Sequence, residues 1–170
     1  MLPHFLPLLS VLNLVAALPT LNPRQAPANA TCDAFKFTQL IGGIQENIFI
    51  QKQEMQGLQT LQSLSTQTPA PSNATHSDFQ LAQTALADTQ KKGVTVRERN
   101  QRLADDLQSP GAKGLARVAQ MQVSVMLDAK SLKGSGAGDV KMLGELVTRT
   151  TDAMALNEEN IKTVESGCGK

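Results

Sequence analysis

The sequence predicts an all-α protein, specifically an up-down-up-down four-helix bundle closed by one disulfide between the ends of its first and last helices. Three observations support this prediction. Apolar residues recur at alternating steps of three and four along four long segments. Clusters of Pro, Gly, Ser and Thr separate those segments. The two cysteines, Cys32 and Cys168, flank the first and last segments, which this topology brings to the same end.

The N-terminal part of the chain is expected to be removed during secretion. Residues 1–17 contain a short apolar run that ends in Val-Ala-Ala, which is typical of a signal peptide. Residues 18–24 end in Pro-Arg before Gln25 and resemble a propeptide. Residues 25–170 are then a single helical domain. Asn29 and Asn73 begin Asn-X-Thr sequons and are predicted N-glycosylation sites.

The first two helices are predicted over residues 33–64 and 77–108. The apolar seam of the first follows a three-four spacing through Phe37, Ile41, Ile44, Ile48, Met55 and Leu58. The polar segment 65–76 interrupts the pattern. Ser77 and Gln80 then have the spacing of a capping box, which predicts that the second helix begins there.

The third and fourth helices are predicted over residues 112–132 and 139–165. Ser109-Pro110-Gly111 ends the second helix, and the glycines of 134–138 separate the last two. The sustained heptad spacing indicates shallow crossing angles between the helices.

The cysteine pair is interpreted as structural. In a secreted chain a disulfide is the ordinary use of two cysteines that the fold brings together, and closing so long a loop contributes about 4–5 kcal/mol in the chain-entropy model. A redox pair or a metal site would need close Cys spacing or several histidines, and His76 alone would remain in the processed chain. Cys32 and Cys168 are therefore expected to be bonded.

Composition points away from catalysis and from highly charged partners. The chain has no Trp and no Tyr, and His76 lies in a Ser/Thr-rich stretch with nothing to orient its ring. We therefore expect no enzyme activity, no metal and no cofactor. Removal of Arg24 would leave fifteen basic against fifteen acidic residues. This balance argues against nucleic acid as the partner, and no later segment is apolar enough to anchor the chain in a membrane.

Five polar residues of the predicted apolar seams are candidates for a polar layer or a pocket, namely Gln51, Asn100, Gln122, Thr150 and Asn157. Antiparallel pairing would place three of them, Asn100, Gln122 and Asn157, near the height of Gly43. One interpretation is a hydrogen-bonded layer that fixes the register of the helices. The other is a pocket between the helices that binds the head of an amphiphile.

The densest group of basic residues lies in the second helix and consists of Lys91, Lys92, Arg97, Arg99 and Arg102. Because acidic residues lie among them, the favoured interpretation is a solvated helix face. A binding patch for anionic glycans or an acidic partner is the alternative.

The Pro-Arg-Gln junction, the run from Cys32 to Asn47 and the final Gly-Cys-Gly resemble small secreted helical proteins of filamentous fungi. A looser similarity, in helical pattern alone, links the chain to the hydrophobic-surface-binding and cell-wall galactomannoprotein family. The first resemblance supplies no established activity. Location, fold and the missing catalytic chemistry instead favour a secreted interaction protein acting at the cell wall or on a host, with a protein or wall glycan as partner. The second resemblance implies binding of lipid or hydrophobic surfaces through the helical core. Both remain open at this stage.

Overall fold

The computed structural model describes residues 33–66, 73–134 and 136–168. These residues form four α-helices and no β-strand, which confirms the predicted all-α class and helix number for the part described. The helices are α1 (Ala34–Thr66), α2 (Asn73–Asp106), α3 (Ala112–Ser131) and α4 (Ala137–Cys168). The predicted signal peptide, propeptide, Asn29 and Cys32 lie outside the described residues, as does the side chain of Cys168.

The start of α1 agrees with its sequence signal, whereas the start of α2 does not. The Asp33 carboxylate caps α1 by accepting hydrogen bonds from the backbone N–H groups of Phe35 and Lys36, both at 3.1 Å. The prediction that α2 begins at Ser77 is wrong, because α2 already begins at Asn73 and Ser77 lies inside it. No proline or glycine separates Asn73 from Ser77, so nothing stops the helix from extending toward its N-terminus.

The C-terminal end of α2 comes two residues before the predicted boundary. Gln108 adopts a left-handed conformation with φ of 48°. The N–H of Ser109 donates to the Ala104 carbonyl at 2.8 Å, and the N–H of Gln108 donates to the Asp105 carbonyl at 3.0 Å. This pair of hydrogen bonds is the Schellman motif, which satisfies the last carbonyl groups of the helix and ends it at Asp106.

Each helix packs antiparallel against the next, and α4 packs back onto α1. The direction follows from which positions meet. Gly43 lies against Asn100 and Gly57 against Leu86, so α1 and α2 run in opposite directions. Two hydrogen bonds between side chains show that α1 and α4 are also antiparallel. They join Asn157 to Gln51 and Thr151 to the Met55 sulfur. The α3–α4 ion pair of Asp128 with Arg149, together with the approach of Gly114 to Asn160, gives the same result.

The apolar interior is divided into two clusters. The first lies toward the C-terminus of α1 and consists of Leu58, Leu61, Phe79, Leu86, Val125, Ala129, Leu132, Leu143 and Leu146. The second lies toward the N-terminus of α1 and consists of Leu40, Ile44, Ala104, Leu115 and Val164. Burial of these side chains from water is the main favourable term in folding.

The predicted seams agree with the buried face in α3 but not in α1. The spacing of three and four predicts six seam positions for the third helix, and all are buried, namely Leu115, Val118, Gln122, Val125, Ala129 and Leu132. In α1 the buried stripe instead follows positions 40, 44, 47, 51, 54, 58 and 61. Four predicted seam residues are only half-buried, namely Phe37, Ile41, Ile48 and Met55. The apolar spacing of α1 predicted the wrong buried face, because the face that is buried includes the polar residues Asn47 and Glu54.

Adjacent glycines in α1 should respond oppositely to a methyl group. A Cβ on Gly43 would collide with the Asn100 Oδ1 and approach its Cγ to 3.0 Å, whereas a Cβ on Gly42 would meet nothing within 4 Å. We expect Gly43→Ala to lower the free energy of unfolding by about 1–3 kcal/mol through overpacking. Gly42→Ala should raise it by about 0.5–1 kcal/mol, because alanine favours the helix. Urea unfolding monitored by circular dichroism measures both, and equal effects would contradict the close α1–α2 approach.

Candidate functional site

Ten buried polar residues lie between the two apolar clusters, and we call them the central polar belt. Along each of the four helices, the polar residues come after the residues of one apolar cluster and before the residues of the other. The belt consists of Asn47, Gln51, Glu54, Gln90, Arg97, Asn100, Gln122, Thr150, Asn157 and Asn160. Each has 7% or less of its surface exposed. Because charged and amide side chains are costly to bury, this belt is the most unusual chemical feature of the interior.

The structure places all five polar seam residues of the sequence analysis in this belt. Asn100 lies against Gly43, as expected from antiparallel pairing. Asn157 lies further along α1, where its Nδ2 donates to the Gln51 Oε1 at 2.9 Å. Thr150 donates to the Leu146 carbonyl of its own helix at 2.9 Å.

The remaining seam residue, Gln122, meets a residue that the sequence analysis missed. Its side chain exchanges two hydrogen bonds with Asn47 of α1, at 3.3 and 3.4 Å. Both are longer than the usual 2.9–3.0 Å for N–H···O bonds, so the pair is weak. These bonds nevertheless cross directly from α1 to α3. They therefore set the height of α3 relative to α1.

Five belt residues were missed altogether, namely Asn47, Glu54, Gln90, Arg97 and Asn160. A signal was present in α1, since Asn47 and Glu54 continue the three-four spacing of Leu40 and Ile44. Its polar members could be recognised only by counting from Leu40 rather than from Phe37. The sequence offered no comparable signal for Arg97, which stands within a run of charged residues.

Several polar atoms of the belt have no hydrogen-bond partner among the described residues. They are the Gln51 Nε2, Glu54 Oε1, Gln90 Nε2, both side-chain atoms of Asn100, the Asn157 Oδ1 and the Asn160 Nδ2. An unsatisfied buried polar group costs about 1–3 kcal/mol. The belt therefore lowers the stability of this fold relative to an apolar interior of the same shape.

Glu54 and Arg97 are the charged members of the belt, and they converge at Gly93. A Cβ on Gly93 would lie 3.2 Å from the Glu54 Oε1 and 3.5 Å from the Arg97 Nη1. Side chains of a helix tilt toward its N-terminus, so in antiparallel helices these two extend toward the same height from opposite sides. The absence of a side chain at Gly93 leaves the room in which they meet.

Burial changes the protonation of both groups. Removal from water raises the pKa of Glu54 to about 7, while the charge of Arg97 and the side chain of Gln122 act in the opposite direction. Burial also lowers the pKa of Arg97, opposed by the carboxylates of Glu54 and Glu98. Arginine has so high an ordinary pKa that Arg97 keeps its charge. The belt therefore holds a permanent cation beside a carboxyl group that titrates near neutral pH.

The basic cluster predicted in α2 is not one surface. Arg97 is buried in the belt, which corrects its assignment to a solvated face. Lys91 pairs with Asp88 at 2.9 Å on the outside of α2. The other three, Lys92, Arg99 and Arg102, line a groove between α1 and α2. Five residues that are close in sequence thus lie in three different environments: the buried belt, the outside of α2 and the α1–α2 groove.

The belt consists of amide, hydroxyl and charged side chains and contains no histidine or cysteine. His76, the histidine of the described part, is exposed near the start of α2, with its Nε2 3.1 Å from the Gln80 Nε2. Among the described residues no three His, Cys, Asp or Glu side chains are grouped closely enough to hold a metal ion. Within the same residues, no helix has the length and apolar character needed to cross a bilayer.

Comparison of the chain with protein-family models, with curated proteins and with solved structures finds no match in any of the three. The resemblances to fungal secreted proteins therefore stay predictions.

The raised pKa of Glu54 should make the protein less stable as pH rises. Between about pH 4.5 and 7 the folded protein keeps a proton on Glu54 that the unfolded chain releases. The free energy of unfolding should therefore fall across this interval, by up to about 3 kcal/mol, and stay level above it. Urea unfolding at a series of pH values measures the slope.

Glu54→Gln is the control, because glutamine keeps the size of the side chain and does not titrate. The variant should lose the extra downward slope, and the difference between the two proteins isolates Glu54 from all other groups. Parallel curves for wild type and Glu54→Gln would contradict a raised pKa at this position.

The Gln51–Asn157 hydrogen bond should appear as coupling between two substitutions. Asn157→Leu alone leaves Gln51 buried without a partner and should cost about 1–3 kcal/mol. Gln51→Leu combined with Asn157→Leu should recover much of this loss, since removing both partners leaves no polar group unsatisfied. Asn100→Ala combined with Asn157→Leu is the comparison pair, and its effects should add. Thermal melts of the singles and doubles measure this, and additivity in the first pair would rule out the bond.

Proposed function

We propose that the chain is a secreted, non-enzymatic interaction protein of a filamentous fungus that acts through its outer surface, at the cell wall or on a host. The observation that carries this proposal is the display of large apolar side chains in grooves between helices. Phe49 is 60% exposed in the α1–α2 groove, and Leu127 is 58% exposed in the α2–α3 groove. Exposed apolar side chains within a concave surface are typical of protein interaction sites.

The interior supports a surface function over lipid binding in the core. An extended acyl chain needs a continuous apolar path, and here the belt with Glu54 and Arg97 divides the interior into two clusters. An acyl chain that crossed the belt would deprive its amide and charged groups of the contacts they have. Binding of lipid or a hydrophobic surface through the core remains the alternative, and it requires the helices to separate.

The proposal includes a four-helix bundle closed by a disulfide between Cys32 and Cys168. Two observations support it. Leu40 near the start of α1 and Val164 near the end of α4 pack in the same apolar cluster. Lys36 pairs with Asp106 at 2.9 Å, so the end of α2 lies beside the start of α1. Cys168 follows Val164 by one helical turn, at the end of the molecule where α1 begins.

The test is to express the full chain in a filamentous fungus and follow the product. We expect recovery from the medium as a chain that begins at Gln25 and gains two thiols only after reduction, measured by intact mass after glycan removal. Fluorescently labelled product should bind isolated fungal wall or host surfaces saturably. Phe49→Ser combined with Leu127→Ser should abolish this binding, whereas Leu81→Ser, at an exposed position outside both grooves, should leave it unchanged.

Three results would overturn the proposal. Retention of the chain inside cells would exclude secretion, and free thiols in the released protein would exclude the closing disulfide. Co-purification of lipid that depends on the interior and not on Phe49 or Leu127 would favour the alternative function.

A further inference from the structure

The α1–α2 groove combines one exposed aromatic ring with a row of basic side chains. Phe49 and Gln53 of α1 form one wall, and Lys92, Thr95 and Arg102 of α2 lie along the other. Ile50 and Val96, both buried, form its floor. The volume of about 620 Å³ is within the ordinary range for ligand-binding clefts, about 300–1,000 Å³.

The residues that line this groove carry more positive than negative charge, and Asp105 and Asp106 lie beside Arg99 and Arg102 only in an adjoining depression. Three basic residues, Lys92, Arg99 and Arg102, line it against one carboxylate, Glu46. Glu46 is already used in the ion pair with Arg99. Lys92 and Arg102 make no ion pair within the part of the chain that the structure describes. They are therefore available to a partner.

The segments outside the described residues contain no acidic side chain. All fifteen Asp and Glu residues of the chain fall within residues 33–66, 73–134 and 136–168. Segments 1–32 and 67–72 contain no Asp or Glu. With no undescribed Asp or Glu left in this sequence to complement the groove, we look for its occupant in another molecule.

The spacing of the groove defines the occupant further. Lys92 and Arg102 are ten residues apart on one helix, about 15 Å along its axis. Phe49 lies between them on the opposite wall, since α1 position 50 packs against α2 position 93. An extended segment covers about 15 Å with four or five residues. Two carboxylates that distance apart would reach the two cations, with an apolar side chain between them on Phe49.

We propose that the α1–α2 groove is the docking site for an acidic, extended protein segment with an aromatic or aliphatic residue between its carboxylates. This inference rests on the proposed function and specifies the chemistry of the partner. A protein segment fits better than an anionic membrane, because a bilayer cannot enter a cleft between two helices and the single exposed ring offers little area for insertion. The ring supplies the apolar anchor, and the two cations set orientation and association rate.

The test uses a short fluorescent peptide with acidic residues at both ends and a phenylalanine in the middle, titrated into the oxidised secreted protein by fluorescence anisotropy. Phe49→Ala should weaken binding at least about tenfold through loss of the anchor. Lys92→Glu and Arg102→Glu should each weaken it about tenfold and reduce its dependence on salt. A peptide with lysine in place of its acidic residues should not bind.

Matched controls distinguish binding in the groove from non-specific binding elsewhere on the surface. Phe35→Ala removes a ring that is 72% exposed outside the groove, and Lys113→Glu reverses an exposed charge on α3. Both should bind the peptide as wild type does. Circular dichroism of every variant establishes that it is folded.

Three results would overturn the docking site. The first is peptide affinity that is absent or that the control variants reduce as strongly as the groove variants do. The second is groove-dependent binding to phosphatidylserine vesicles without binding to the peptide, which would assign the groove to membranes. The third is saturable binding to wall or host surfaces that every groove variant retains. This result would reject the docking site and leave the proposed function intact. A protein that binds the peptide but binds neither wall nor host surfaces would keep the docking site and reject the proposed function.

Discussion

Burial of the Glu54 carboxyl and the Arg97 guanidinium at the centre of the molecule is the constraint on which the rest of the structure depends. Burying either charge is costly, and the amides of the same belt bond to one another in the pairs Asn47–Gln122 and Gln51–Asn157. A helix that slid by one turn would place an amide or a charge against leucines. The two apolar clusters at either side of the belt supply the stability, and the belt selects the register in which they form.

Glycines allow the helices to approach at this level. Gly43 faces Asn100, and Gly93 faces the ends of Glu54 and Arg97. Side chains at these two positions would keep α1 and α2 apart where the belt must close. The polar interior and the close α1–α2 approach are therefore one arrangement, and the groove on the outside of the same helix pair results from it.

The rotation of α1 also determines what the surface displays. With Asn47 and Glu54 turned inward, Phe49 is turned outward, which reverses the usual placement of polar and apolar residues. Local departures of this kind are characteristic of functional regions, where a sequence gives up stability for another property. The polar interior and the exposure of Phe49 in the α1–α2 groove thus share one cause, the rotation of α1. A carboxyl group with a pKa near neutrality links that shared arrangement to pH.

The sequence by itself determined the all-α class, the number of helices and the buried face of α3, because those features depend on local periodicity that a single helix carries. It also singled out Gln51, Asn100, Gln122, Thr150 and Asn157, since polar residues stand out within an apolar repeat. Only the tertiary structure decided the face of α1, the burial of Arg97 and the exposure of Phe49. These depend on which neighbouring helix lies opposite each residue, and in α1 the polar residues of the buried stripe obscured the periodicity that would have indicated it.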